Sequence, residues 1–156
     1  MRELFALLAA VLSVAGCASE PPAATVPAVR DHTAGVAARH ADAMMGKPYR
    51  YGGSLPDGFD CSGLVHYSYA RSGFATPRDT RGLHDRSRPV SIHHARPGDL
   101  LFFDEGGKKR SHVGIYLGDD RFVHAPSSGG RVRIDHLSAG YWHKTFVEAR
   151  QLSVAP

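Results

Sequence analysis

The sequence is poor in cysteine and in long apolar runs. It contains two cysteines, Cys17 and Cys61, among 156 residues, too few for a small scaffold held together by disulfides. Its longest nearly unbroken apolar segment, residues 4–14, is shorter than the about 20 residues that a membrane-spanning helix needs. A disulfide-rich miniprotein and a protein of several membrane-spanning helices are therefore both excluded.

Internal repeats and concentrated charge are also missing. No segment recurs at the periods of solenoids or propellers. The net charge of +4 is spread along the chain, whereas a nucleic-acid-binding domain gathers its basic residues in one patch or stripe. The length and an ordinary globular composition, 42% hydrophobic and 22% charged, predict one folded domain. We expect a monomer with no nucleic-acid partner.

The first residues predict a secretory signal instead of a part of the fold. Arg2 gives a positive start, and residues 4–14 form an apolar core of the length that signal peptides have. Residues 14–17, VAGC, resemble the lipobox of bacterial lipoproteins, in which the cysteine is acylated and becomes the mature N-terminus. The resemblance implies a signal peptide at residues 1–16 and lipidation of Cys17. The alternative is an ordinary signal peptide with an incidental cysteine.

A lipid anchor implies a location on the periplasmic side of a bacterial membrane. Ala18 follows the cysteine where an aspartate would resemble an inner-membrane retention signal, so the outer membrane is favoured. Prolines among small residues predict an extended tether, and we assign residues 17–32 to the acylated cysteine and this tether. The folded domain is expected at residues 33–156.

The first half of the domain predicts two helices. A helix capped by Asp31 or Thr33 is expected to run to about Met45. A second helix is expected to start at Asp60 or at the next residue and to stop before Gly73, which can adopt the left-handed conformation that follows a helix.

The second half predicts strands separated by turns rich in Gly, Asp and Ser. The strands are expected at residues 99–103, 113–117, 121–125, 131–134 and 146–152. Before them, the polar residues 79–96 are interpreted as a surface loop with a short helical turn. Helices followed by antiparallel strands indicate an α+β domain.

Cys61 is a lone thiol once Cys17 is assigned to the anchor. In an oxidising compartment a leftover cysteine is either paired between chains or kept as a free reactive thiol. Cys61 lies in the DCSG run of residues 60–63, at the expected start of the second helix. The positive end of the helix dipole favours a thiolate, so we expect a lowered pKa and a nucleophilic role. The competing interpretation is a buried structural cysteine.

Two histidines on neighbouring predicted strands supply a base. We expect His112 to be the base beside Cys61, and His124 to orient its far ring nitrogen. The two rings share one face of the sheet only if the hairpin between them pairs Gly114 with His124. A regular two-residue turn would put them on opposite faces. The hypothesis therefore predicts a three-residue loop or a β-bulge.

Four sequence motifs carry a family resemblance. They are YRYGG at residues 49–53, FDCSGLV at 59–65, RPGDLLFF at 96–103 and HVGIYLG at 112–118. In this order and spacing they look like the NlpC-like family of cell-wall cysteine peptidases, and in particular its single-domain lipoprotein branch. The similarity covers roughly residues 33–152.

The resemblance implies a papain-like α+β fold, with N-terminal helices packed on a mostly antiparallel sheet of five or six strands. It implies Cys61 as nucleophile, His112 as base and His124 as the third polar residue, with no metal and no organic cofactor. The implied substrate is a peptidoglycan stem peptide. The residues that the resemblance assigns to the oxyanion site and to the substrate pocket are Tyr49, Asp60 and Ser62.

Alternatives remain open at this point. Cys61, His112 and His124 would also make three zinc ligands with an open fourth position. An acyltransferase can use the same triad, and a wall-binding or regulatory lipoprotein can keep the fold without turnover. The bond is open between the D-alanyl–diaminopimelate crosslink and the γ-D-glutamyl–diaminopimelate bond of the stem. The lipoprotein branch favours the crosslink.

Overall fold

The protein is described by a computed structural model over residues 26–153. The expected signal peptide, the lipobox and Cys17 lie outside these residues. The four helices are α1 Val26–Asp42, α2 Cys61–Arg71, α3 Thr80–Asp85 and α4 Gly140–Thr145. Within residues 26–153, none of the helices is both long and apolar enough to cross a membrane.

Eight strands form a small hairpin and one large sheet. They are β1 Ser54–Leu55, β2 Gly58–Phe59, β3 Ser87–Val90, β4 Leu100–Glu105, β5 Lys108–Gly118, β6 Arg121–His124, β7 Arg133–His136 and β8 Phe146–Leu152. The strands β1 and β2 pair with each other, and the other six form a sheet in the order β3-β8-β4-β5-β6-β7. Every pairing in the sheet is antiparallel. The predicted α+β class and the mostly antiparallel sheet of five or six strands are confirmed.

The bounds of α1 differ from the prediction, whereas α2 begins where it was expected. The helix α1 begins at Val26 instead of near Asp31, so it includes part of the segment that was assigned to the tether. Pro27 does not prevent this, because the N–H groups of a first helical turn have no intrahelical partner. At the other end, the α-helix stops at Asp42 instead of continuing to Met45, and the chain goes on in a tighter turn.

Residues 79–96 contain more structure than the loop that was predicted. The expected helical turn is α3, but the following residues Ser87–Val90 form the edge strand β3. The strand pairs with β8, with Ser87 opposite Leu152. Pro89 and the absence of alternation concealed β3, because a proline is tolerated in an edge strand but weakens any strand pattern. The hairpin β1–β2 and the helix α4 were also missed.

Alternate residues along the central strands face two separate cores. One face of the sheet is covered by α1 and α2, and it buries Leu100, Phe102, Val113 and Ile115 completely. The opposite face is covered by Trp142 of α4, and it buries Leu101, Phe103 and Phe122 completely. A fully buried side chain of this size contributes about 1.5–3 kcal/mol to folding. His112 and His124 contact the Trp142 ring and therefore face the second core.

The hairpin between β5 and β6 has the irregularity that the two histidines require. Asp119 and Asp120 form its turn with φ of 51° and 65°, and the register shifts between Tyr116 and Gly118. One extra residue, Leu117, is thereby accommodated as a bulge. The register of Ile115 opposite Val123 brings Gly114 into line with His124, as predicted. The predicted bulge is confirmed.

Gly114 permits this packing because it has no side chain. A Cβ atom at position 114 would lie 2.7 Å from a ring carbon of Phe122, which is fully buried and cannot move aside. We expect Gly114→Ala to lower the free energy of unfolding by about 1–3 kcal/mol through overpacking. Gly140→Ala is the matched control, since nothing lies within 4 Å of a Cβ there. Urea unfolding of both variants tests this, and equal midpoints would contradict it.

Candidate active site

Cys61 is the first residue of α2 and lies beside the middle of β5. Its sulfur accepts hydrogen bonds from the backbone N–H groups of Val113 and Ser62. The pairs of β5 with β6 start at Ile115, so Cys61 contacts β5 on the N-terminal side of these pairs. Cys61 is therefore held next to the peptide unit that follows His112.

Asp60 is the N-cap of α2 and fixes the start of this helix. Its carboxylate accepts from the backbone N–H of Gly63 at 2.7 Å and of Gly52 at 2.9 Å. Two guanidinium nitrogens of Arg78 donate to it at 2.9 and 2.8 Å. Burial alone would raise the pKa of Asp60, but these hydrogen bonds, Arg78 first, bring it below its usual value. Asp60 is thus a carboxylate whose charge is already paired.

Arg78 connects the start of α2 to the glycine loop, residues 49–53. Besides Asp60, it donates to the Ser62 hydroxyl and to the Gly53 carbonyl, both at 3.0 Å. The bidentate geometry of a guanidinium suits this role, which a lysine could not fill. The donors of Arg78 are therefore engaged within the protein.

A groove of about 530 Å³ opens beside the Cys61 thiol. Tyr49, Asp60 and Ser62, the residues assigned to the oxyanion site and substrate pocket, all line it. The structure therefore brings these residues together with Cys61, while their roles toward a substrate stay predictions. Other lining residues come from the loop before β1, from α3 and the residues just before it, and from β5: Tyr51, Gly52, Arg78, Asp79, Thr80 and Ser111.

The two histidines are buried and bonded to each other. Nε2 of His112 lies 2.8 Å from Nδ1 of His124. The indole of Trp142 stacks on the His112 ring, with centroids 5.5 Å apart, and meets His124 edge-on at 4.7 Å. The predicted pairing of the histidines is therefore present in the structure.

The chain of hydrogen bonds ends on Asp135, which the sequence did not indicate. Oδ2 of Asp135 lies 2.9 Å from Nε2 of His124 and also accepts from Arg133 at 2.8 Å and from the Trp142 indole at 2.9 Å. Burial would raise the pKa of Asp135, but the bonds from His124 and Arg133 lower it to about 2. Asp135 is therefore an ionised acceptor with three donors.

The ionised state of Asp135 assigns the ring protons. Because Asp135 can only accept, Nε2 of His124 carries the proton that it donates. A neutral His124 then accepts at Nδ1 from Nε2–H of His112, which leaves the lone pair of His112 on Nδ1. Burial, together with the nearby His124, lowers the pKa of His112 to about 3, and burial lowers that of His124. His112 is thus a neutral base with a defined basic atom.

Glu105 approaches that basic atom. Its Oε2 lies 3.3 Å from Nδ1 of His112, and its other oxygen accepts from the Tyr141 hydroxyl at 3.3 Å. Burial raises the pKa of Glu105, because it disfavours the charged carboxylate. The sequence gave no sign of this contact, because a shift of register between Phe103 and Glu105 determines where this side chain points.

The pKa of Cys61 contradicts the expected thiolate. Burial raises the pKa of the thiol to about 11 despite the hydrogen bond from Val113. Desolvation of the charged form therefore outweighs the helix N-terminus from which a lowered value was expected. Within residues 26–153, the thiol makes no hydrogen bond to either His112 or His124. The resting site holds a neutral thiol and a neutral imidazole.

Metal ligation receives no support from this geometry. Within residues 26–153, no group of three or more His, Cys, Asp or Glu side chains is arranged to hold a metal ion. Nε2 of His112 and Nδ1 of His124 bond to each other, and Nε2 of His124 bonds to Asp135. The zinc site considered from the sequence would need these bonds to be broken.

Comparison with known families and proteins gives consistent results. The model of the NlpC/P60 family matches residues 46–151. The chain is 39% identical over 122 residues to probable endopeptidase YafL of Escherichia coli, covering 75% of this chain and 49% of that protein. It is 39% identical over 114 residues to murein DD-endopeptidase MepH of the same species, covering 70% and 42%.

A Gram-positive relative and solved structures extend the similarity. The bifunctional muramidase/DL-endopeptidase CwlT of Bacillus subtilis is 42% identical over 105 residues, covering 65% of this chain and 31% of the relative. The chain thus spans less than half the length of these curated relatives. A lipoprotein-like NLP/P60 structure from Staphylococcus aureus matches with a TM-score of 0.69 and 35% identity, covering 78% and 42%. The NlpC/p60 domain of the peptidoglycan hydrolase SagA matches at 0.63 and 30%, covering 76% and 97%.

The neutral thiol makes a testable statement about reactivity. In a Cys17→Ser background, the rate of Cys61 alkylation by iodoacetamide should rise about tenfold per pH unit from pH 7 to 9. The thiolate fraction grows in that proportion while the pH is below a pKa of about 11. The urea-unfolded chain is the control, and its rate should level off near the ordinary thiol pKa of about 8.5. A folded-state rate that is constant over this range would indicate a preformed thiolate and contradict the statement.

Proposed function

The chain belongs to the NlpC/P60 family, and on that premise we propose that it is a peptidoglycan endopeptidase with Cys61 as nucleophile. The observation that carries the proposal is the oriented chain from Asp135 through His124 to His112, together with Cys61 at an open groove, whose sulfur is contacted by the N–H of Val113, the residue after His112. The names of the relatives as endopeptidases support the substrate class.

In the first half of the proposed reaction, the Cys61 sulfur attacks the carbonyl carbon of a wall peptide bond. Nδ1 of His112 takes the thiol proton during the attack, because burial disfavours both a thiolate at Cys61 and an imidazolium at His112. The backbone N–H of Cys61 and the Tyr49 hydroxyl are the proposed donors to the oxyanion. His112 then protonates the leaving amine, and a thioester remains.

In the second half, water hydrolyses the thioester. His112, neutral again, accepts a proton from the water that attacks the acyl carbon, and the sulfur leaves with that proton. Throughout, His124 and Asp135 hold the His112 ring in the tautomer whose basic atom is Nδ1. No metal and no organic cofactor take part in the proposed steps.

The proposed location follows from the N-terminal sequence. A lipid on Cys17 would hold the domain on the periplasmic side of a membrane, the outer membrane being favoured. The bond remains a choice between the D-alanyl–diaminopimelate crosslink and the γ-D-glutamyl–diaminopimelate bond of the stem. The relatives carry both DD- and DL-endopeptidase in their names.

Digestion of purified sacculi tests the activity. Wild type should release peptides that mass spectrometry identifies, and the new amine terminus will show which bond is cut. Cys61→Ser should lower the rate by about 10³-fold or more, since it keeps the shape of the site but replaces the nucleophile. Activity should survive a metal chelator and be lost on alkylation by iodoacetamide.

Each alternative function has its own outcome in that assay. Binding to sacculi without release, unchanged in Cys61→Ser, would favour a wall-binding lipoprotein. Products with an acyl group moved to an added amine, at the expense of hydrolysis, would indicate an acyltransferase. Inhibition by a chelator with restoration by zinc would restore the metal hypothesis.

The role of Asp135 has a sharper test. Asp135→Asn can donate to Nε2 of His124 and reverse both ring tautomers, which moves the proton of His112 onto Nδ1. We expect kcat to fall roughly 10²- to 10⁴-fold with little change in KM. The control is Asp57→Asn, which removes an exposed carboxylate paired with Arg50. Equal kcat values for the two variants would remove Asp135 from the mechanism.

A further inference from the structure

A second groove, of about 470 Å³, lies next to the groove of Cys61 and carries a different charge. It runs between α3 and the start of β5. Four basic side chains line it, Arg81 from α3 and Lys108, Lys109 and Arg110 from β5, against one lining carboxylate, Asp85. We call this feature the basic groove.

The charges of the basic groove are only partly neutralised. Arg81 is 4.0 Å from Asp85, at the limit of an ion pair, and its side chain is 92% exposed. Arg110 donates to Glu148 at 3.0 Å, but Glu148 is also bound by Arg150 at 2.8 Å. One carboxylate is thus shared between two guanidinium groups, so it cancels less than the full charge of either.

The two lysines have no carboxylate partner. Among the ion pairs of residues 26–153, none includes Lys108 or Lys109. Lys108 lies opposite Glu105 in the hairpin, but the Glu105 carboxylate faces His112 and Tyr141. The excess positive charge is therefore available to a bound molecule, and it contributes nothing by pairing to the stability of the fold.

The basic groove is continuous with the groove that holds the nucleophile. Thr80 and Ser111 line both of them, and Ser111 directly precedes His112 in β5. An extended peptide that places a carbonyl on Cys61 can therefore reach the basic groove with a neighbouring group. The reach required is a few residues at about 3.3 Å each.

From this arrangement we propose that the basic groove is a specificity subsite that binds a free carboxylate of the peptide being cut. The inference rests on the proposed function and deepens it by naming the substrate class, acidic wall peptides whose carboxyl groups are not amidated. Lysine ammonium groups suit a carboxylate as compact point charges that several rotamers can bring to it. Because the groove is open to solvent, discrimination comes from several weak contacts, each sensitive to salt.

The test compares two synthetic stem peptides that differ only in one carboxyl, free or amidated, with each carboxyl changed in turn. For one of these positions, wild type should show a kcat/KM about five- to tenfold higher for the acid. Arg81→Glu/Lys109→Glu reverses one charge on each wall and leaves Lys108, opposite Glu105, unchanged. In this variant, the ratio of kcat/KM for the acid to kcat/KM for the amide should fall to about one or below. Arg81→Gln/Lys109→Gln should give a ratio between this value and that of wild type.

The matched control reverses two charges away from both grooves, in Arg71→Glu/Lys144→Glu. Both side chains are exposed, and neither residue lines a groove. This control should keep the wild-type ratio. A ratio of one in wild type, or a ratio that the Arg81/Lys109 variants leave unchanged, overturns the subsite. The subsite is also overturned if the Arg71→Glu/Lys144→Glu control lowers the ratio as much as the Arg81/Lys109 variants do, because the preference for the acid would then depend only on the overall charge.

Binding separates this inference from the proposed function. Calorimetric titration of the same peptides into Cys61→Ala measures the preference for the acid without turnover. If wild type cuts no wall peptide, the proposed function fails, while a binding preference that the Arg81→Glu/Lys109→Glu changes abolish still supports the subsite. If wild type cuts both peptides and Cys61→Ala binds them equally, the subsite fails and the proposed function stands.

Discussion

The hydrogen bond between Asp135 and His124 is the contact on which the order of the whole site depends. Arg133 and Trp142 hold Asp135 as a carboxylate, and a carboxylate can only accept. One proton assignment then fixes the next, until the lone pair of His112 is left on Nδ1, the ring atom beside Glu105. Removing the anionic end of this chain would leave each ring free to choose either tautomer.

The same burial that orders the histidines also keeps them neutral. They lie on the face of the sheet covered by α4, whereas Cys61 approaches from the helix that covers the other face. The strand β5 passes between these two layers, and the bulge at Leu117 sets which of its side chains face each layer. Acid–base chemistry at such a site has to move a proton together with bond formation, because burial makes the separation of charge unfavourable.

Local patterns predicted much of this arrangement. The DCSG run indicated a helix that starts at or next to Cys61, as the structure has it. The two histidines could share one face of the sheet only with an irregular hairpin, and the structure has the bulge that this requires. Asp135 was not predicted because its strand was expected to end at residue 134. The strand β3 was not predicted because its sequence does not alternate between apolar and polar residues. The predicted direction of the Cys61 pKa shift was wrong, because a sequence indicates where a helix starts but not how deeply a side chain is buried.

Trp142 is the one tryptophan of the sequence, and its position gives the site an internal optical reporter. Its ring stacks on His112, and its N–H is bonded to Asp135, so the emitting group touches both ends of the proton chain. A protonated imidazole is a stronger quencher of an excited indole than a neutral one. We therefore expect the emission of the unlabelled protein to respond to the charge state of these histidines without any substrate.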